Sequence, residues 1–161
     1  MKLTSCLAVS TVIFLAPWFS AGVLAQPSSG GHHMVSPQEL VWSSIASLPK
    51  GAEIAMIEGP LNEAKPFIIR LKFPAGYRLP AHSHPAIEHV TVISGQFFMG
   101  VGDQLDPRQS HGLVPGSVAI MQPGVNHFAY TEEPTIVQVH GVGPWGLNYV
   151  NPADDPRKKN P

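Results

Sequence analysis

The sequence predicts an all-β domain in which short strands pack as a sandwich or a barrel. Apolar and polar residues alternate through the segment from Phe67 to Phe73, as in a strand with one buried face. The chain contains 17 prolines and 15 glycines, and only 13% of its residues are charged, against roughly 25% in typical domains. Because no long helical pattern and no internal repeat accompany these features, we expect closely spaced strands joined by tight turns.

The strands can be placed individually from their patterns. In the first strand Phe67, Ile69 and Leu71 share one parity, whereas Arg70 and Lys72 have the other. Since successive side chains of a strand point to opposite faces, the first set forms the apolar face. Glycine, proline or asparagine residues bound five further strand-like runs, which cover residues 88–93, 96–101, 117–121, 127–131 and 135–140.

The N-terminal segment, residues 1–25, is typical of a secretory signal peptide. An apolar run at residues 7–19 is followed by small residues up to Ala25. The run is shorter than the roughly 20 residues that a membrane span requires, and Pro17 interrupts it, which disfavours a membrane anchor or a buried helix. We therefore expect cleavage after Ala25 and an exported protein, periplasmic or secreted, with no membrane association after cleavage.

The remaining 136 residues (161 less 25) suit a single domain with one hydrophobic core. Residues 26–35 are rich in proline, serine and glycine and predict a flexible arm, in which His32 and His33 are expected to be solvated rather than ligands. Residues 36–150 contain the strand-like runs and form the predicted domain. The polar, proline-containing residues 151–161 predict a flexible tail.

Cysteine content and charge exclude several classes of function. Cys6 is the only cysteine and lies in the predicted signal peptide, so disulfide, thiolate–zinc and cysteine-nucleophile chemistry are not expected in the mature chain. The 10 basic and 11 acidic residues nearly balance, and three basic residues lie in the tail. No basic face for nucleic acid is therefore expected.

A group of histidines and one glutamate carries the chemistry that the sequence offers. His82 and His84 point the same way on a strand, so their imidazoles can share one ion. Glu88 begins the next strand, from which its carboxylate can reach the same point. Two neutral imidazoles and a carboxylate are ligands that a borderline divalent cation prefers. The best candidate for a third imidazole is His127, which follows the turn at residues 123–126.

The spacing of these residues resembles the two sequence motifs of the cupin superfamily. The first motif is similar to Gly76-x5-His82-x-His84-x3-Glu88-x6-Gly95, and the second to the series Gly116, Gly124 and His127. The second motif departs from the family pattern because Pro123 is shifted by one position and because Thr131 stands where the family often has Asn. Neither departure affects a ligand position. The region around Trp145 is similar to small exported bacterial members.

The resemblance implies a double-stranded β-helix, or jelly-roll barrel, that binds one divalent metal ion near one mouth. The ligands it implies are His82, His84, Glu88 and His127. Members of the family are often homodimers, and the low charge content is typical of a surface that a second subunit partly covers.

Three further histidines need a separate interpretation. His89 has the opposite parity to Glu88 and should face away from the ion, and His111 lies in a predicted loop, so both are expected to be structural or solvated. His140 shares its parity with Gln138, and a polar inner face at this position could supply a catalytic acid or base. The same pattern also describes a polar face directed outward.

The function expected from these features is that of a mononuclear metalloenzyme acting on a small organic molecule. Iron or manganese would suit an oxygenase or decarboxylase, and zinc or nickel would suit a lyase, isomerase or hydrolase. The alternative is a non-catalytic cupin that binds or senses a metal ion or a metabolite. The fold alone does not separate these two classes, since one fold carries many functions.

Overall fold

The computed structural model describes residues 31–158. The described residues from Met34 onward belong to one compact unit, and residues 31–33 belong to the preceding one. The predicted signal peptide and residues 26–30 of the predicted arm lie outside the described residues. No helix in the described part of the chain has the length and apolar character needed to cross a membrane.

Eleven β-strands make up most of the described chain. They are β1 (Ser43–Ser44), β2 (Glu53–Glu58), β3 (Pro66–Phe73), β4 (Arg78–Ser83), β5 (Glu88–Ser94), β6 (Phe97–Val101), β7 (Ser110–Leu113), β8 (Val118–Met121), β9 (His127–Thr131), β10 (Thr135–Val142) and β11 (Asn148–Tyr149). All six strand-like runs of the sequence correspond to strands. The all-β prediction is therefore confirmed.

The strands form two antiparallel sheets that enclose one core, which confirms the jelly-roll architecture. One sheet has the order β1-β2-β3-β10-β5-β8 and the other the order β11-β4-β9-β6-β7. The prediction of a barrel was wrong in one respect, because the described strands do not close into a continuous hydrogen-bonded ring. A closed barrel needs every strand to pair on both sides, whereas each of these sheets ends in two edge strands.

The apolar faces of both sheets point into the space between them. In β3 the side chains of Phe67, Ile69 and Leu71 are buried and those of Arg70 and Lys72 are half-exposed, as the alternation predicted. Alternate residues of β5, β6 and β10 add to this core, as do residues of other segments, among them Ile54, Leu79, Ala129 and Leu147. Burial of this apolar surface is the main force that holds the two sheets together.

The structure also contains elements that the sequence pattern did not reveal. Strands β1, β2, β7 and β11 lie outside the predicted runs, and His111 lies in β7, opposite Met99 of β6, rather than in a loop. The predicted tail begins with two short 3₁₀ turns, Pro152–Asp154 and Pro156–Lys158. The Arg157 guanidinium donates a hydrogen bond of 2.9 Å to the carbonyl oxygen of Leu147, which ties these turns to the domain.

Two glycines of the first motif allow a matched test of backbone constraints. Gly76 and Gly95 have nearly the same left-handed conformation, with φ of +72° and +74°. A Cβ atom at Gly76 would meet nothing within 4 Å, whereas one at Gly95 would lie 2.5 Å from the carbonyl oxygen of Pro134. The conformation alone therefore disfavours a side chain at both positions, and crowding adds to the cost only at Gly95.

We predict that Gly76→Ala lowers the free energy of unfolding by about 1 kcal/mol and Gly95→Ala by about 2–4 kcal/mol. Urea denaturation of both variants beside the unmodified protein measures the difference. Equal losses for the two variants would show that the close approach of the 134–135 backbone to Gly95 does not constrain the fold.

Candidate metal centre

The four predicted ligands meet at one end of the core. His82 lies near the end of β4 and pairs with His127, the first residue of β9. His84 follows β4 directly, and Glu88 begins β5 in the other sheet. One ring nitrogen from each histidine lies within 4.8 Å of the other two, and all four side chains are buried. The geometry expected for a shared ion is therefore present.

A change of register in β4 explains how two histidines enter an apolar core. Leu79 points into the core, and strict alternation from Leu79 would turn His82 outward. The pairing of β4 with β9 shifts between Leu79 and His82. An irregularity of this kind changes the face to which later side chains point, so His82 and His84 also become buried.

Backbone carbonyl groups fix the orientation of each imidazole ring. The Nδ1 atoms of His82, His84 and His127 lie 2.8, 2.7 and 3.0 Å from the carbonyl oxygens of Pro80, Gly146 and Val125, respectively. A carbonyl can only accept a hydrogen bond, so each Nδ1 carries the proton and each Nε2 keeps a free lone pair. This arrangement is typical of histidines whose orientation is fixed for metal binding.

Glu88 faces these lone pairs across a short gap. Its Oε2 atom lies 3.3 Å from Nε2 of His84 and 3.9 Å from Nε2 of His127. With Nδ1 protonated, the nitrogen and oxygen atoms are all acceptors, and buried acceptors that face one another are unfavourable. Accordingly, Nε2 of His84 and Nε2 of His127 are buried without a hydrogen-bond partner. A cation between them would satisfy both.

The pKa directions reflect the same geometry. Burial, with a smaller effect from His127 and His84, lowers the pKa of His82 to about 3, so its lone pair is available at neutral pH. Burial would also lower the pKa of His84, but the adjacent Glu88 carboxylate, which favours a proton on the imidazole, raises that pKa above its usual value. Burial would raise the pKa of Glu88, and the contact with His84 lowers it instead. Glu88 is therefore ionised and attracts positive charge.

Trp145 holds the other oxygen of the same carboxylate. Its indole Nε1 donates a buried hydrogen bond of 3.0 Å to Oε1 of Glu88. The indole also stacks on the ring of His84, with centroids 5.4 Å apart and planes 15° from parallel. Since the next residue, Gly146, accepts the hydrogen bond from His84, the segment 145–146 orients two ligands at once. Sequence analysis gave Trp145 no role at the site, because 57 residues separate it from Glu88 and no local pattern links the two.

The cavity beside the ligands is small and apolar. Its volume of about 20 Å³ accommodates roughly one water-sized group. Apart from the four ligands, every residue that lines it is apolar, and none is charged: Leu48, Leu71, Phe73, Leu79, Val90, Phe97, Met99, Ala129, Val137, Val139, Trp145 and Leu147. The ligand side chains therefore lie in an environment of low polarity, where electrostatic interactions are strong.

His140 does not belong to this cavity, which corrects our prediction of a catalytic acid or base. In β10 the side chains of Val137 and Val139 are buried in the core, and His140, of opposite parity, points to the outer face of the sheet. There it stacks on His89, with ring centroids 4.9 Å apart. The parity of His140 and Gln138 describes an outward polar face. His89 points away from the cluster, as predicted.

We predict that His82→Ala, His84→Ala and His127→Ala each remove most of the metal bound at this centre, because each substitution deletes one lone pair from a buried set. His111→Ala is the matched control, since His111 is exposed on β7. Metal content per chain, measured by elemental analysis after dialysis against limiting metal, distinguishes them. Equal metal content in His111→Ala and His82→Ala proteins would contradict the ligand assignment.

We also predict that Trp145→Phe weakens metal binding by about 10-fold, within the range typical of partners that orient a ligand. The phenyl ring preserves most of the packing on His84 but cannot donate a hydrogen bond to Glu88. Competition with a chelator measures the affinity. Trp42→Phe, an identical change beside Lys72, provides the control and should leave the affinity unchanged. A Trp145→Phe affinity equal to that of the control would show that the indole N–H has no role in positioning Glu88.

Comparisons with known proteins identify the fold. No protein-family model matches the chain, and no curated protein sequence matches it significantly. Among solved structures, the polyketide cyclase RemF from Streptomyces resistomycificus is similar with a TM-score of 0.64 at 14% identity, over 80% of this chain and 92% of that one.

An RmlC-like cupin from Ralstonia eutropha gives a TM-score of 0.58 at 18% identity, over 78% of this chain and 76% of that one. An acetylacetone dioxygenase from Acinetobacter johnsonii gives a TM-score of 0.57 at 13% identity, over 81% of this chain and 84% of that one. Together with the two facing antiparallel sheets, these similarities show that the chain has the fold of these cupin structures.

Proposed function

We propose that this protein is a mononuclear metal-dependent oxygenase that acts on a small, uncharged organic molecule. The observation that carries the proposal is the meeting of three oriented imidazoles, two of them facing the Glu88 carboxylate, beside an apolar cavity. Two structural neighbours are named as enzymes that act on small molecules, a polyketide cyclase and an acetylacetone dioxygenase. They support an enzymatic role by analogy of fold.

The ligand set suits iron or manganese as the resident ion. Three neutral imidazoles and one carboxylate leave a divalent ion with a net positive charge and with coordination positions for exogenous ligands. An ion held by these residues would supply the capacity to activate dioxygen and to polarise an oxygen atom of the substrate. The protein's own contribution is to orient His82, His84 and His127 through backbone carbonyls and to hold Glu88 through Trp145.

The wall of the cavity indicates the class of substrate. No lysine or arginine lines it, so a carboxylate or phosphate group of a substrate would lose its hydration without gaining a cationic side chain. Phenylalanine, leucine and valine side chains would instead contact an apolar skeleton. A small diketone, enol or phenol, which offers an oxygen atom to the ion and an apolar body to the wall, fits these constraints.

The absence of a second proton-transfer group favours an oxygenase over a lyase or an isomerase. Among the residues that line the cavity, the four ligands and no others are titratable. Lyases and isomerases move protons with a positioned acid or base, and His140 is on the other side of the sheet. An oxygenase obtains its reactivity from the ion and dioxygen and needs no additional acid or base of the protein.

Entry of a substrate requires the cavity to open. The cavity is close to the size of one water molecule, and the segment from Trp145 to Tyr149 covers the histidines on one side. Leu147 of this segment lines the cavity. Because Trp145 and Gly146 also contact Glu88 and His84, movement of the segment would change the orientation of the ligands as substrate enters.

The same lack of a free acid or base also favours one alternative, a cupin that binds a metal ion or a metabolite without turnover. In that function the buried cluster would serve as a binding site only. The two functions differ in one measurable property, since only the oxygenase consumes dioxygen in proportion to the substrate that it converts.

The test is oxygen consumption by the iron-loaded and the manganese-loaded protein in the presence of small diketones, enols and phenols. We expect consumption with at least one compound class, loss of consumption in His127→Ala protein and no consumption by zinc-loaded protein, because zinc has no redox chemistry. His111→Ala should match the unmodified protein. Tight binding of a compound that is recovered unchanged, with no oxygen consumed under either metal, would favour the binding function and overturn the oxygenase.

A further inference from the structure

His89 and His140 lie next to each other on the outer face of the six-stranded sheet. His89 of β5 is directly opposite His140 of β10 in the antiparallel pairing. Their rings are 4.9 Å apart and within 13° of parallel. Both histidines point away from the cavity, and neither has a role in the proposed oxygenase.

Like two histidines of the metal centre, these two rings have a buried nitrogen atom without a hydrogen-bond partner. Four buried side-chain nitrogen or oxygen atoms of the described residues have no hydrogen-bond partner: Nε2 of His84, Nε2 of His127, Nδ1 of His89 and Nδ1 of His140. The first pair is explained by a cation at the metal centre. Buried polar atoms without partners are rare in folded proteins and indicate a missing water molecule, ion or strained group. The second pair needs an explanation of the same kind.

The surroundings of the pair do not provide protein partners. In the same row across the sheet, Ile68 of β3 lies opposite His140 and Ile120 of β8 lies opposite His89. Both neighbours are apolar, so neither side chain can accept or donate a hydrogen bond. In the next row, Gln138 lies opposite Thr91, and the Gln138 side chain accepts a hydrogen bond from Arg70. The Nδ1 atom of each imidazole therefore has no hydrogen-bond partner among the described residues, and an external species can supply one.

We infer that His89 and His140 form a second site for a divalent transition-metal ion, of the zinc or copper class, on the outer face of the sheet. Directly opposed residues on antiparallel strands have Cβ atoms about 4.5–5.5 Å apart, which lets two imidazoles reach one ion. Imidazole nitrogen is a preferred ligand of these ions. Two protein ligands leave the other coordination positions to water, so this site binds its ion less tightly than the four-ligand centre does.

Occupation of this site would join β5 to β10 in the middle of the six-stranded sheet. An ion that binds the folded chain better than the unfolded chain raises the midpoint of thermal unfolding. The structure therefore assigns a stabilising role to this ion, separate from catalysis. The inference does not depend on the proposed oxygenase, because none of its residues lines the cavity.

Zinc binding to the full chain, without an affinity tag, tests the inference. Equilibrium dialysis with excess zinc should give two bound ions per chain for the unmodified protein and one for His89→Phe/His140→Phe, in which flat rings replace the imidazoles. His82→Ala/His84→Ala should keep the outer ion and its rise in unfolding temperature. The control His32→Ala/His33→Ala removes the other adjacent histidines and should still bind two ions.

The outcomes separate the two metal sites. Equal zinc stoichiometry in the unmodified protein and in the His89→Phe/His140→Phe variant would overturn the outer site. Loss of one ion in that variant alone, with no loss in His82→Ala/His84→Ala, would overturn the four-ligand centre and leave the outer site in place. If the double phenylalanine variant does not fold, nitrogen NMR of the imidazoles in the unmodified protein decides the matter. Zinc should shift the signals of both His89 and His140, and unchanged signals would overturn the inference.

Discussion

The contact between the Glu88 carboxylate and the imidazole lone pairs is the interaction on which the rest of this structure depends. Polar acceptors in an apolar interior are costly unless a donor or a cation satisfies them. Here the acceptors are 3.3 and 3.9 Å apart and buried, so they create a strong local preference for positive charge. The other features around the site, the carbonyl contacts, the indole hydrogen bond and the apolar wall, keep these acceptors in place and keep water away.

The segment from Trp145 to Tyr149 both orients residues of the site and covers the cavity beside them. Trp145 and Gly146 contact two ligands, Leu147 lines the cavity and Tyr149 lies beside His82. Arg157 in turn ties the end of the chain to this segment through the Leu147 carbonyl. The C-terminal residues thus act together as one element that orients the ligands and closes the cavity. The core of a small domain has little depth, so a site of low polarity at its edge needs a segment such as this one to cover it.

Periodicity along the chain predicted much of the fold, for a physical reason that is visible in individual strands. In β3 and β10 one face meets the core and the other meets solvent, so polarity alternates and the strands can be recognised. The residues that meet at the candidate metal centre could be singled out in advance because histidine and glutamate are conspicuous at regular spacing. Strands such as β1 and β11 were not predictable, since each has only two residues and an alternation of polar and apolar residues cannot be recognised over so short a length. Trp145 was missed because its partner is remote in sequence, and no local pattern reports such a contact.

By itself, the sequence pointed to the residues of the candidate metal centre and to the apolar faces of the main strands, because both depend on residue type and local spacing. The tertiary structure decided the direction of the side chains where alternation is ambiguous or broken. A register shift in β4 turns His82 and His84 inward, although strict alternation from the inward-pointing Leu79 would turn them outward. Parity alone left the direction of His140 open, and the packing of β10 between β3 and β5 placed it outside. Only the folded chain shows which face of a strand meets the opposite sheet, since that depends on contacts between residues far apart in sequence.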